Sequence, residues 1–283
     1  MGATVITITS GKGGVGKTTT TANLGLGLAK LGKKVVVIDT DIGLRNLDII
    51  LGLESRVVYD LVDIVEGNCK LRQAMIKHKQ FPDLYLIPAA QKRDKTAVSP
   101  DNMIQIADAL REEFDFILID SPAGIERGFR NAIAPADLVV VVTNAEVSAV
   151  RDADRVIGLV ESSIKQLNAS RPNTQKSPTP VRLILNRVRP EMIRRGEMMS
   201  VNDVNDILGV DILGIVPEDE QVIPASNTGV PIILYDQSKA GGAYMNIARR
   251  LTGENIPITQ LDTPSGFFQR LNRLFGGQST PKG

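Results

Sequence analysis

Residues 3–32 read ATVITITSGKGGVGKTTTTANLGLGLAKLG. Three kinds of segment follow one another here. Ala3 to Thr9 is apolar and β-branched, the pattern of a buried strand. Thr19 to Leu31 has helical spacing, and Gly32 stops it. Between them lies the pattern G-x-x-x-x-G-K-[ST], met by Gly11, Gly16, Lys17 and Thr18. Gly11, Gly13, Gly14 and Gly16 permit positive φ and close backbone approach. From Gly11 to Thr19, Val15 included, backbone N–H groups then point inward. The helix dipole adds positive potential, so the loop is built to hold a polyphosphate. Lys17 would reach the β- and γ-phosphates, and the Thr18 hydroxyl would bind Mg²⁺.

The loop carries a second lysine, Lys12, which that chemistry does not need. Spacing alone leaves two readings open. Lys12 is a solvated side chain, or it reaches a second nucleotide across a dimer interface and adds charge to the transition state, as an arginine finger does in other P-loop enzymes.

Outward from this stretch, apolar strands alternate with helical patterns. Strands are expected at 34–38, 84–88, 116–119, 138–143, 181–185 and 212–216, and helices at 57–65, 100–113, 148–167, 200–208 and 240–251. Continuous apolar strands between helices imply an α/β fold: a doubly wound, mostly parallel sheet with helices on both faces. Right-handed crossovers put the strand C-termini on one edge, where ligands bind. Gly11, Asp39, Asp120 and Asn186 each follow a strand, so they should gather there. Residues 168–180 (NASRPNTQKSPTP) read as a surface loop within the domain.

Two acidic stretches fit phosphate chemistry. Asp39 and Asp41 stand in VIDTDIGLRNLD, and Asp120 in LIDSPAGIE. An aspartate closing an apolar strand can hold Mg²⁺ through water, the role expected of Asp120. Gly124 gives the loop after it mobility. Asp39 and Asp41, two residues apart in an extended segment, would face the same way. One could serve the metal and the other could orient a water. Turn-capping is the plainer role for all three.

The chain has 283 residues, 42% of them hydrophobic and 23% charged, with a formal net charge of +1. Nothing global points to nucleic acid or an acidic partner. Cys69 is the one cysteine and His78 the one histidine. A lone thiol builds neither an internal disulfide nor a metal cluster, and a reducing compartment is expected. His78 lies among lysines (IKHKQ) and is expected at the surface, so Ser-His-Asp catalysis is excluded. The opening turns polar by Thr7 to Gly16, unlike a secretory signal, and no apolar run is long enough to span a bilayer.

Residues 264–277 read PSGFFQRLNRLFGG. On a helix, Phe267, Phe268, Leu271, Leu274 and Phe275 share an arc of about 120°, and Gln269, Arg270, Asn272 and Arg273 take the rest. A core helix or a partner-binding helix would look similar. Phenylalanines, basic residues without acids, and a position after a polar linker favour an anionic membrane surface. One short copy binds weakly, and two on a dimer gain avidity of about 10²–10⁴. The expected layout is an ATPase domain at 1–252, a linker at 253–265, an amphipathic membrane-targeting helix at 266–277 and a disordered tail at 278–283.

Taken together, KGGVGKTT, DTDIGLRNLD, DSPAGIE, EVSAVRDADRVIG and VPEDEQVIPASNTGVPI resemble the deviant Walker A (ParA/MinD) family of P-loop ATPases, and its septum-placing MinD branch most closely. The resemblance implies a slow, partner-stimulated ATPase that dimerises with ATP and Mg²⁺. It implies that Lys12 touches the partner subunit's phosphates, that Asp41 orients the hydrolytic water, that Asp39 supports the metal site and that Asp120 is the Walker B acid. Asn186 in LILNR matches the adenine-reading position, with the peptides from Pro217 to Asp219 flanking the base. Ser148, Asp152 and Asp154 match the helix that meets a MinC-like inhibitor of the division polymer and a MinE-like activator. The implied location is the cytoplasm and the inner face of the cell membrane, or the stroma and inner envelope of a plastid. Three other readings are weaker. A partition ATPase needs a basic surface for DNA, and local charge here is mixed. An iron–sulfur carrier needs more cysteines. A metabolic kinase needs a lid or second domain.

Overall fold

The computed structural model describes residues 2–94, 96–169 and 179–258. Residues 170–178 of the expected surface loop, most of the linker, the amphipathic segment from Phe267 to Phe275 and the terminal tail lie outside the described residues.

Among the described residues there are eight strands: β1 Thr4–Thr9, β2 Val35–Asp39, β3 Ile76–Lys77, β4 Leu84–Ile87, β5 Phe116–Asp120, β6 Leu138–Asn144, β7 Val181–Val188 and β8 Ile212–Pro217. The helices are α1 Lys17–Lys30, α2 Leu47–Ile50, α3 Leu61–Val65, α4 Leu71–Ala74, α5 Pro100–Leu110, α6 Arg127–Ile133, α7 Val147–Ala169, α8 Pro190–Arg195, α9 Val201–Leu208, α10 Val222–Asn227 and α11 Lys239–Leu251. The sheet order is β3-β4-β2-β5-β1-β6-β7-β8, all parallel except the β3–β4 pair. This is the doubly wound fold expected from the alternation. The two-residue β3, too short to show a period, was not foreseen.

The central strands are mostly apolar and β-branched because both their faces are covered. All five residues of β2 are buried. One face packs under α1 and α11, and the other under α3, α5, α6 and α7. Helix α1 is buried nearly all round, and its glycines follow from that. A Cβ on Gly25 would lie 2.6 Å from Val37 Cγ1, and one on Gly27 would lie 2.8 Å from Ile233 Cδ1 and 3.0 Å from Ala248 Cβ. Each glycine costs about 1 kcal/mol of helix propensity, which the close packing on β2 and α11 offsets.

Caps explain where helices differ from expectation. The pattern at 57–65 yields a helix only from Leu61, because Asp60 Oδ1 accepts the N–H groups of Val62 and Asp63. Ser99 starts α5 and Ser200 starts α9 in the same way. His78 is not at the surface. It is buried; its N–H donates to Leu84 O, and its Nδ1 accepts from Gln80 N and Phe81 N, both at 3.2 Å. Burial pushes its pKa below the usual imidazole value, with Lys79 and Arg56 adding to the effect and a hydrogen bond to the Leu51 backbone opposing it. The flanking lysines misled the sequence reading, since the β3–β4 turn folds the ring inward.

A histidine whose folded pKa is depressed contributes stability present above its unfolded value and lost as pH falls through the folded one. Urea midpoints measured at pH 7 and pH 5 should therefore drop more in the native chain than in His78→Gln. Equal drops would remove His78 from the acid response.

Candidate functional site

The strand tips meet in register. Asp39 of β2 stands opposite Asp120 of β5, Ile8 of β1 opposite Asp120, and Asn144 of β6 opposite Asn186 of β7. The glycine loop rises from β1 in their midst. Gly14 (φ +78°) and Gly16 (φ +96°) turn it, and Gly16 caps α1. Gly16 could not carry a side chain: its Cβ would lie 2.2 Å from Asn186 Nδ2. At Gly11 the obstacle is backbone, with the Asp152 carbonyl oxygen 2.3 Å from a Cβ there. Asn186 is buried and its Nδ2 donates to Val15 O at 2.8 Å, so it braces the loop from β7. Gly124 N–H donates to Ser10 O at 3.1 Å and ties the loop after β5 to the same turn.

Beneath the loop two buried acids face one buried lysine. Lys17 Nζ donates to Asp120 Oδ1 at 3.3 Å, and Thr21 Oγ1 donates to the same oxygen at 3.1 Å. Asp120 Oδ2 is buried without a hydrogen-bond partner. The Asp39 carboxylate accepts N–H groups from both ends of the following loop: Asp41 on Oδ1 at 2.9 Å, and Asn46 and Leu47 on Oδ2 at 3.3 Å each. Burial first, then the Asp120 charge, push Asp39 up to about 7, against the pull of those N–H groups and Lys17. Asp41 does not continue an extended segment alongside Asp39. The chain turns there, and Leu44 N and Arg45 N both donate to Asp41 O. Asp41 is left half-buried at the mouth while Asp39 is sealed beneath.

This donor set fits Mg²⁺ with a phosphate ligand. Among the described residues no cluster of three or more acids, histidines or cysteines could cage a metal alone. Two acids, one with an unpartnered buried oxygen, and the Thr18 hydroxyl at the start of α1 suit an ion that takes its remaining ligands from phosphates and water.

Lys12 is exposed and turns to α7. Its Nζ lies 3.3 Å from Ser148 Oγ and 3.7 Å from Glu146 Oε2. Ser148 and Asp154 are exposed and Asp152 is half-buried, all near the start of that helix. Pro217 ends β8, but the Asp219 carboxylate is taken: Oδ2 accepts Ser238 Oγ at 2.7 Å and Ala240 N at 3.3 Å, which ties it to the start of α11. Its backbone is thus placed by its own side chain.

Sequence reasoning passed over three residues here. Thr21 shares an oxygen with Lys17, one helical turn earlier. Glu146 meets Lys12. Asn144 is buried at the tip of β6 with its Oδ1 unpartnered. Only Asn144 had a sequence signal, since a polar residue closes an apolar strand there as Asp120 does.

The sequence matches the CobQ/CobB/MinD/ParA nucleotide binding domain family over residues 6–232. It is 50% identical to the septum site-determining protein MinD of Bacillus subtilis over 276 residues, 97% of this chain and 98% of that protein. The chain belongs to the MinD family of ATPases. The fold of a MinC:MinD cell division protein complex from Aquifex aeolicus is similar, at TM-score 0.81 and 47% identity over 91% of this chain and 99% of that one. So is MinD complexed with Mg-ADP from Pyrococcus horikoshii, at TM-score 0.76 and 29% identity over 90% of this chain and 100% of that one. As a member of the family this chain is a nucleotide-binding ATPase.

Gly16→Ala should abolish nucleotide binding while the fold persists, because the added methyl drives Asn186 off the loop and strains a positive φ. Titration with a fluorescent ATP analogue checks this; a dissociation constant within threefold of the native value would contradict it.

Proposed function

We propose that this chain is a septum-placing ATPase that dimerises around ATP, binds an anionic membrane surface as the dimer and recruits a MinC-like inhibitor. The observation that carries the reading is the pair of lysines in one loop: Lys17 buried on Asp120, and Lys12 on the outside beside α7. Family membership supports septum placement, and the Aquifex aeolicus assembly of MinC with MinD supports a MinC-like partner.

Mg²⁺, when bound, would supply charge neutralisation at the phosphates. The chain's own residues do the rest. Gly11 to Thr19 present backbone N–H groups to the phosphates, and Lys17 exchanges its Asp120 contact for them. Thr18, Asp120 and Asp39 would hold the metal. Asn186 and the peptides of Pro217 and Asp219 flank the base. Asp41, at the mouth of the site, orients water for in-line attack. Asp39 holds the backbone of Asp41, so the acid that supports the metal also positions the acid that orients the water. Lys12 leaves Ser148 and Glu146 to reach the second subunit's phosphates. A pair of lysines from two subunits compensates charge that neither could alone.

Ser148, Asp152 and Asp154 then lie beside the dimer seam, where a MinC-like inhibitor and a MinE-like activator would bind. Phe267, Phe268, Leu271, Leu274 and Phe275 enter the lipid while Arg270 and Arg273 meet its headgroups. No helix among the described residues is long and apolar enough to cross a membrane.

Lys12→Ala should keep nucleotide affinity within about threefold, yet lose dimerisation and slow hydrolysis by roughly 10³-fold or more. Native turnover in that variant would remove the role in trans. In a second test, pelleting with phosphatidylglycerol vesicles should favour the ATP form over the ADP form by about 10²-fold or more, and deletion of residues 264–283 should abolish the difference. Equal pelleting of both nucleotide forms would sink the membrane switch.

A further inference from the structure

Helix α11 does not release the chain at its end. The backbone turns at Gly253 (φ +92°), whose N–H donates to Arg250 O at 3.0 Å. The chain then lies back on the body. Arg249 and Glu254 pair at 2.7 Å. Arg250 engages all three guanidinium nitrogens with main-chain carbonyls: Nε donates to Ile256 O at 2.8 Å, Nη1 to Leu213 O at 3.0 Å and Nη2 to Pro257 O at 2.7 Å. Leu213 belongs to the edge strand β8. One side chain therefore staples the outgoing chain, at two consecutive residues, to the margin of the sheet. Burial lowers the pKa of Arg250. Its neighbour Arg249 makes an ion pair instead. Lysine could not replace Arg250, because an ammonium offers its donors from one point and the guanidinium fork offers them from three.

We propose that Arg250 is a positioning residue for membrane attachment, fixing where the chain leaves the ATPase body and shortening the free tether to the apolar segment at 267–275. The proposal rests on the reading of that segment as the membrane anchor. The staple ends at Pro257, which leaves nine residues, 258–266, before Phe267; without it the backbone bonds of Gly253 and Glu254 still hold, and twelve residues, 255–266, remain. The effective concentration of a tethered group falls roughly as the −3/2 power of tether length, so release would lower it about 1.5-fold for the second anchor of a dimer. Loss of a common exit point adds to that.

The test uses the full chain with a non-cleavable ATP analogue, Mg²⁺ and vesicles of phosphatidylglycerol in phosphatidylcholine. Arg250→Lys should need two- to fivefold more vesicles for half-maximal pelleting, with native nucleotide affinity. A native chain carrying six glycine and serine residues inserted after Ile258 should need about twofold more, and this arm decides if Arg250→Lys does not fold. A dye on Asn255→Cys in a Cys69→Ser background should lose anisotropy when Arg250→Lys is added, which a merely structural change elsewhere would not produce. Native pelleting by Arg250→Lys and by the insertion chain, or an unchanged anisotropy, overturns the proposal. If the native chain pellets without regard to nucleotide, or its deletion at 264–283 pellets as well as it does, the anchor reading itself fails and the proposal falls with it. That failure is seen before any Arg250 variant is compared.

Discussion

Two carboxylates sealed at neighbouring strand tips, with a single lysine between them and the phosphate loop, govern the architecture of this protein. Parallel pairing of β2 with β5 puts Asp39 and Asp120 side by side, and desolvation makes their mutual repulsion strong. Lys17 and Thr21 satisfy one oxygen of Asp120, and three backbone N–H groups satisfy Asp39. Burial and the facing Asp120 charge push Asp39 up to about 7, and a proton or a cation would relieve the repulsion that remains. The Asp39 carboxylate accepts N–H groups from both ends of the loop at 41–47. The electrostatic state of the site is thus tied to the shape of the loop that carries Asp41.

From this site a rigid path leads to the end of the chain. Helix α1 begins in the phosphate loop and packs along α11. Thr20 Oγ1 lies 3.3 Å from the buried Tyr244 hydroxyl, and Asn23 Oδ1 accepts the Ile233 N–H at 2.9 Å. Gly27 brings the two helices into backbone-close contact near Ala248. A core packed this tightly shifts between discrete arrangements or not at all. On the proposed reading, nucleotide state is then better reported by the number of subunits presented to the membrane than by bending of one subunit. Two weak anchors held at fixed exits suffice for that.

Much of the fold was legible because its signals are local. Apolar runs closed by Asp39 and Asp120 gave strands and their tips, and Gly11 to Thr18 gave the turn between β1 and α1. What escaped was set by contacts distant in sequence. His78 was read from its lysine neighbours, yet a turn at 78–81 buries it. Asp39 and Asp41 were read as an extended pair, yet Asp39 curls under the loop that begins at Asp41. Glu146 meets Lys12 only because β6 lies beside β1. The Asp219 carboxylate reaches Ser238 across a loop, and Arg250 finds Leu213 on a strand 37 residues earlier. Spacing encodes none of these partners.

The same long-range contacts separate the two lysines of the loop. Lys17 is sealed against Asp120, where an ion pair is held firmly only while its partners stay desolvated together. Lys12 is about half exposed and its ion pair with Glu146 spans 3.7 Å; such surface pairs are worth roughly 0.2–1 kcal/mol. In the proposed dimer a polyphosphate on the facing subunit would offer a denser negative charge in a place the interface would dry, and the contact with Glu146 and Ser148 would be too weak to retain Lys12 against it. Five positions apart, one lysine is sealed in its own site and the other, on the proposed reading, serves a neighbour's. The difference comes from what the sheet places around each lysine, since the residue type is the same.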